Sequence, residues 1–312
     1  MDSDNRLRTL EDKMKIEAAA LSATLEEFIG RYAEELKREG AILGLSGGLD
    51  SAVVAALCQR ALGPAKTLAL VMPEKESKKE HVRDALEVAD ELGIEARVVD
   101  ITPYLKKLGV YRLSPVDEFF LPRRVKGFLI KKAHHFYERK AGEPPFSAAL
   151  LGSEGKPFNS YLKKINAYYR SKHRLRMVVL YFHAELENRL VVGAGNKSEY
   201  EIGFFVKHGC DAAADVMPLL NLYKTQVRDL ARYLGIPAAI IDKAPSPDVI
   251  PGVTDELAIG VAYGELDLIL LALEEGWGDA EITGALGVGE RTVRHVRRMV
   301  QRSRHMREVY AP

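Results

Sequence analysis

Two serines, two glycines and an aspartate stand together at Ser46-Gly47-Gly48-Leu49-Asp50-Ser51, and these residue types suit the binding of a phosphate chain. Gly47 and Gly48 permit a tight turn and leave no Cβ between backbone N–H groups and a ligand. The apolar run Ala41 to Leu45 before them reads as a strand, and Ala52 to Leu57 after them reads as a helix. The first N–H groups of such a helix lack partners, and its dipole favours negative charge there. One helix end contributes only about 0.3–2 kcal/mol toward an anion, so a polyphosphate needs further cations. An acid inside an anion site is repulsive unless a cation stands between the two, and Asp50 therefore points to Mg²⁺. A Walker loop would place Lys-Ser/Thr after its last glycine, and a dinucleotide fingerprint would need a third glycine; neither is present.

A second strand, turn and helix follows at Leu190-Val191-Val192-Gly193-Ala194 and Gly195-Asn196-Lys197-Ser198-Glu199. If the two strands are neighbours, Glu199 brings a second carboxylate to the metal of Asp50. Spacing alone equally allows a first-turn acid that answers the helix dipole.

These loops need a sheet to hold them. Thr67 to Met72 reads as a second, buried strand, Ala96 to Ile101 as a third strand, and Ser77 to Gly93 as a helix with Ser77 as N-cap and Glu80 in a capping box. Strands alternating with helices over short links predict an α/β fold, a doubly wound parallel sheet flanked by helices. Ligands of such sheets bind at the carboxyl ends of strands, where Ser46 to Ser51 falls. The first ten residues read as frayed, and Leu10 to Glu39 as one helix within an N-terminal region 1–39. Phe158 to Glu187 reads as a long helix, and Asp255 to Glu275 as an amphipathic one. Residues 104–157 read as an inserted, mobile segment with a basic run from Arg123 to Lys140, and Gly142 to Pro157 as a loop.

The 312 residues, 47% hydrophobic, are enough for a single domain spanning 1–312 without covalent staples. Cys58 and Cys210 give no disulfide framework, which fits a reducing, cytoplasmic setting. No apolar run is long enough for a membrane span. A net charge of +1 argues against wholesale attraction to polyanions. The basic helical region 279–312 does contain a helix-turn-helix pattern at 279–301, with Gly287-Val288-Gly289 as the turn and Arg291, Arg294, Arg297 and Arg298 beyond it. A DNA-binding protein is thus the competing reading from another class. The lack of a linker before Asp279 favours two helices of the main domain.

The SGGxDS pattern resembles the pyrophosphate loop of ATP pyrophosphatases. Further elements follow in order: Arg174-Leu175-Arg176-Met177, Gly195 to Glu199, Gly203 to Lys207, Asp215, Leu222 to Gln226, Lys243 to Ser246, and Thr254-Asp255-Glu256. Together they resemble ammonia-dependent NAD synthetases, whose fold is the adenine nucleotide alpha hydrolase type. The resemblance implies that ATP and ammonia amidate nicotinic acid adenine dinucleotide through an acyl-adenylate, releasing AMP and pyrophosphate. It assigns Ser46, Gly47, Gly48, Leu49, Asp50, Ser51, Ala194, Lys224 and Ser246 to ATP, and Asp50 and Glu199 to Mg²⁺. Asp50 and Lys224 would be the catalytic pair, and Arg174, Lys207, Asp215 and His305 would bind the dinucleotide.

The resemblance also implies a homodimer with long helices such as Phe158 to Glu187 at the interface, and neither membrane nor nucleic acid as partner. Synthetase elements begin about 40 residues into the sequence, so no glutamine-hydrolysing domain is expected before them. Three departures touch the substrates. Ala194 stands where the family usually has Thr, the segment from Lys207 to Asp215 is one residue longer, and His305-Met306-Arg307 replaces His-Lys-Arg. Met306→Lys is accordingly expected to tighten dinucleotide binding. The alternative within the class is an ATP pyrophosphatase acting on another carboxylate or base.

Overall fold

The computed structural model describes residues 3–113, 123–150, 159–210, 212–245 and 253–311. After helices α1 (Ser3–Met14) and α2 (Ala18–Glu35) come strand β1 (Gly40–Gly44), helix α3 (Leu49–Leu62), β2 (Thr67–Val71), α4 (Lys79–Glu91) and β3 (Glu95–Val98). Helices α5 (Thr102–Lys107), α6 (Arg123–Ala141), α7 (Pro145–Leu150) and α8 (Asn159–Leu186) precede β4 (Arg189–Val191). The four strands form one parallel sheet in the order β3-β2-β1-β4.

The two central strands, β1 and β2, are covered on both faces and read as unbroken apolar runs rather than alternating ones, whereas the edge strand β3 carries Glu95 and Arg97 and is partly exposed. Alternate residues nevertheless serve different cores. Ala41, Leu43, Ala69, Val71 and Leu190 pack with α2, α3 and α4 residues such as Ile29, Val53 and Val88. Ile42, Leu68, Leu70 and Val191 pack against Leu105 of α5 and Tyr168, Met177 and Leu180 of α8. The chain leaves β1 toward β2 and β3, then returns to add β4 on the opposite side of β1, with Gly40 opposite Arg189 and Ile42 opposite Val191. The loops after β1 and β4 therefore diverge from a topological switch point, where open α/β sheets form their ligand crevice. Beyond β4, Val192 pairs in parallel with Val216.

The rest of the chain is helical: α9 (Lys197–Ile202), α10 (Lys224–Tyr233), α11 (Ala238–Ile241), α12 (Asp255–Ile259), α13 (Tyr263–Glu274), α14 (Asp279–Leu286), α15 (Glu290–Arg302) and α16 (Arg304–Arg307). Ile202, Leu266, Ile269, Ile282, Val293, Val296 and Met299 share one core with Leu10 of α1. The helix-turn-helix spacing is present, with Gly287 at φ +65° in the turn. Its apolar face is committed to this core, and Arg297 bonds the Asp279 carboxylate at 2.7 Å and the Trp277 carbonyl at 2.9 Å.

Several local expectations are corrected. The first residues are helical rather than frayed because Leu10, 1% exposed, anchors α1 on α13 and α14. That anchoring breaks the N-terminal run into two helices around Lys15. Helix α4 starts at Lys79, and the Ser77 hydroxyl accepts a bond from the Glu74 N–H instead of capping the helix. The helix read across 255–275 is split at Gly260, whose φ of +82° ends α12. Gly142 to Pro157 contains the short helix α7, and Leu105 and Val110 belong to the core on the α8 side.

Candidate active site

The loop after β1 is held by its own serines. The Ser51 hydroxyl donates to the Gly48 carbonyl at 3.0 Å, accepts from the Ser46 N–H at 3.2 Å and lies 3.0 Å from the Ser46 hydroxyl. Gly47 is required twice: its φ is +74°, and a Cβ there would lie 2.2 Å from the His81 carbonyl. Lys243 donates to the Gly47 carbonyl at 2.9 Å and to Asp84 at 2.6 Å, which ties the loop to α4. Leu49 turns its side chain into the core and leaves its backbone at the helix start.

Asp50 and Glu199 meet at the switch point. Lys224, 3% exposed, stands between them, its Nζ 2.5 Å from Asp50 Oδ2 and 3.0 Å from Glu199 Oε1. Asn196 joins the two loops: its amide donates to Asp50 at 3.2 Å, while its oxygen caps α9 by accepting from the Glu199 N–H. The Tyr263 hydroxyl lies 3.0 Å from Glu199 and 3.4 Å from Asp255 Oδ2. The other Asp255 oxygen, Oδ1, is buried and has no partner among the described residues.

Lys224 is placed by a carboxylate behind it. Asp267 of α13, fully buried, accepts from the Thr225 N–H at 2.9 Å, the Thr225 hydroxyl at 2.8 Å and the Ser198 hydroxyl. The Ser198 oxygen in turn accepts from the Lys224 N–H at 2.8 Å. This satisfies the open N–H groups at the start of α10 and fixes α9, α10 and α13 together.

Negative charge is in excess. Burial raises the Glu199 carboxyl pKa, with Lys224 pulling it down and Asp50 pushing it up. Burial and then the charge of Glu199 raise Asp255 to about 7. Burial disfavours the Lys224 ammonium, but Asp50 and Glu199 outweigh it and hold the group charged, above the ordinary lysine range. Carboxylate oxygens with one lone pair set unpartnered form an all-oxygen donor set, and this chemistry fits Mg²⁺.

The adjoining cavity, about 280 Å³, is lined by Ser46 to Ser51, Tyr169, Arg176, Ala194, Glu199 and Lys224. Ser246 lies outside the described residues, while Ala244 and Pro245 line the cavity. The four residues assigned to the dinucleotide do not line it. Arg174 donates through two nitrogens to the Lys207 carbonyl at 3.3 Å, and the Lys207 ammonium donates to the carbonyls of His305 and Glu308. Asp215 accepts from the Val191 N–H at 2.8 Å and the Tyr181 hydroxyl at 3.0 Å, closing the end of β4. Met306, where the resemblance leads one to expect a cation, is buried against Phe205.

Sequence reading gave no role to Asn196, Asp255, Tyr263 or Asp267. Asn196 carried a signal, an Asn three residues before an acid at a helix start. Asp255 entered only within the Thr254-Asp255-Glu256 element, without a role, and Tyr263 and Asp267 only as residues of the amphipathic helix.

The family model described as NAD synthase matches residues 21–115 and 157–310. The chain belongs to the NAD synthase family. It is 44% identical over 256 residues to the NH(3)-dependent NAD(+) synthetase of Thermotoga neapolitana, covering 82% of this chain and 84% of that one. The NH(3)-dependent NAD(+) synthetase of Hyperthermus butylicus is 34% identical over 303 residues, 96% of this chain and 92% of that one. Among solved structures, NMN synthetase from Francisella tularensis superposes with a TM-score of 0.69 at 28% identity, covering 96% of this chain and 99% of that chain. Residues 116–156, with all of α6 and α7, fall between the two stretches matched by the family.

Proposed function

We propose that this enzyme amidates nicotinic acid adenine dinucleotide to NAD with ATP and free ammonia. The observation that carries the reading is Lys224 held between Asp50 and Glu199 beside a glycine-serine loop at a helix start. A carboxylate does not accept ammonia directly, because its oxygen is a poor leaving group. The substrate carboxylate attacks the α-phosphorus of ATP, an acyl-adenylate forms and pyrophosphate leaves. Backbone N–H groups from Gly47 to Ser51 hold that pyrophosphate, and Lys224 offsets its charge. Mg²⁺, held by Asp50 and Glu199, supplies further neutralisation of the phosphates when bound. Asn196 and Tyr263 fix the two carboxylates, so the charge is arranged before the substrate arrives. Neutral ammonia then attacks the acyl carbon and AMP departs; one proton of the attacking nitrogen is lost to solvent or base, which leaves the primary amide.

Val178, Phe182 and Leu186 form an exposed apolar stripe at helical spacing on α8. They support a homodimer across this helix, with the dinucleotide site completed between subunits near Arg174 and Lys207. The two cysteines without a disulfide support a reducing, cytoplasmic location. A second reading replaces the dinucleotide by the mononucleotide. It draws on the likeness to NMN synthetase.

The deciding experiment is pyrophosphate–ATP isotope exchange with a panel of carboxylates, followed by amide formation with ammonium or ammonia-free glutamine. Exchange with nicotinic acid adenine dinucleotide and turnover with ammonium support the first reading. Preference for nicotinic acid mononucleotide supports the second, and exchange with neither overturns both.

A further inference from the structure

Helix α6 carries His134, His135 and Glu138, whose donor atoms all lie within 4.8 Å of one another. The spacing explains why: His134 and Glu138 are one turn apart at i,i+4, and His135 and Glu138 are at i,i+3, so all three reach one side of the helix. An ion pair accounts for part of the group, since His135 Nδ1 lies 3.8 Å from Glu138 Oε2. It does not account for His134. That imidazole is only 8% exposed, and both of its ring nitrogens are without a hydrogen-bond partner among the described residues. A buried polar atom left unpaired is destabilising, and a metal ion would take up one nitrogen lone pair.

We propose that His134, His135 and Glu138 bind one borderline divalent transition metal ion of the Zn²⁺ class. Two imidazoles and a carboxylate form a mixed nitrogen and oxygen donor set, which favours Zn²⁺ over the Mg²⁺ suited to Asp50 and Glu199. His135 and Glu138 are partly open to solvent, so water completes the coordination shell. Burial lowers the His134 pKa, which keeps the imidazole in the neutral form a metal needs. The charged neighbours acting on His134 are Glu138 and His135 themselves. Lys132, on the same helix, turns its ammonium over the Phe128 ring at 4.8 Å. The site lies within 116–156, between the two stretches matched by the NAD synthase family model.

The test is Zn²⁺ titration of the metal-free full-length protein against a chromophoric chelator, with excess MgCl₂ occupying the carboxylate site. One Zn²⁺ per chain is expected, weakened tenfold or more by His135→Ala and by Glu138→Gln, whose partly exposed positions leave folding intact, and also by His134→Ala. Asp50→Asn should leave Zn²⁺ binding unchanged. Co²⁺ loaded in place of Zn²⁺ should show ligand-field bands without a thiolate charge-transfer band, which separates this site from the Cys210–His173 pair. Absence of saturable binding, equal affinity in the wild type and the His135 and Glu138 variants, or a thiolate band would each overturn the proposal.

Discussion

Two buried lysines in this molecule are each clamped between two carboxylates, and only one of the clamps borders the cavity at the switch point. Lys172 of α8 lies 2.9 Å from both Glu74 and Glu76 in the loop after β2, as Lys224 lies between Asp50 and Glu199. Around Lys172 the remaining valences are closed. The Tyr111 hydroxyl donates to Glu74 at 2.7 Å, the Tyr168 hydroxyl bonds Glu76 at 2.5 Å, and the ammonium sits 4.0 Å from the Tyr168 ring centroid. Around Lys224 they are left open: a third carboxylate, Asp255, keeps an oxygen unpartnered, and the group borders the cavity. A buried ion pair fixes geometry in both places. Unspent negative charge beside open space distinguishes the one suited to a ligand.

This contrast is sharpest where catalysis and stability are measured together. Asp50→Asn and Glu199→Gln should each lower pyrophosphate exchange by roughly 10²–10³-fold while thermal unfolding stays cooperative. The double variant should be scarcely worse, because both carboxylates serve one charge site. Additive losses in exchange assays would mean that they act separately.

Lys172→Met should do the reverse. Stranding Glu74 and Glu76 should cost about 3–5 kcal/mol of unfolding free energy, seen in urea titrations, with exchange per folded molecule changed only severalfold. Adding Glu74→Gln and Glu76→Gln should restore part of that stability. A Lys172→Met protein of normal stability but no exchange would make the two lysines functional equals.

The third expectation concerns pH. The Asp255 carboxyl titrates near pH 7 in the fold against 3.8 ordinarily, so between those values the folded state holds a proton that the unfolded state has released. Stability from this group is full below about pH 4, declines as pH rises toward 7, and is flat beyond; the total is on the order of a few kcal/mol. Asp255→Asn should flatten this slope in pH-dependent urea titrations, and an unchanged slope would place the ionisation elsewhere.

The smallest effect separates sequence from structure at the C-terminus. Sequence alone suggests that Met306→Lys restores a cation for the dinucleotide. The burial of Met306 against Phe205 argues instead for a loss of roughly 1 kcal/mol in stability and no gain in dinucleotide affinity. Calorimetric titration of wild type and variant decides between them; tighter dinucleotide binding would return Met306 to the substrate site.

The parallel sheet and its loop were legible because β1, β2 and β4 are continuous apolar runs ended by turns, and because two glycines and two serines have few other uses at a strand end. The meeting of Asp50 with Glu199 was legible only as a condition, that their strands be neighbours, and the β1–β4 register meets it. Tyr263, Asp255 and Asp267 were hidden because each sits on a helix that reads as amphipathic, and a single polar residue on a buried face gives no periodic signal. The split at Gly260 was missed for a related reason: apolar spacing continues across it, and a left-handed glycine ends the helix without interrupting the pattern.

The pairing of Gly40 with Arg189 joins residues about 150 positions apart, and the segment 116–156 lies wholly inside the loop so closed. Closure entropy grows only with the logarithm of loop length, so carrying this segment adds roughly 0.3 kcal/mol to the cost of seating β4. Additional sequence can therefore accumulate there with little thermodynamic penalty. The consequence is kinetic: the Asp50–Glu199 site assembles only when the longest-range strand pair of the sheet docks, so nucleotide affinity should be among the last properties to return on refolding.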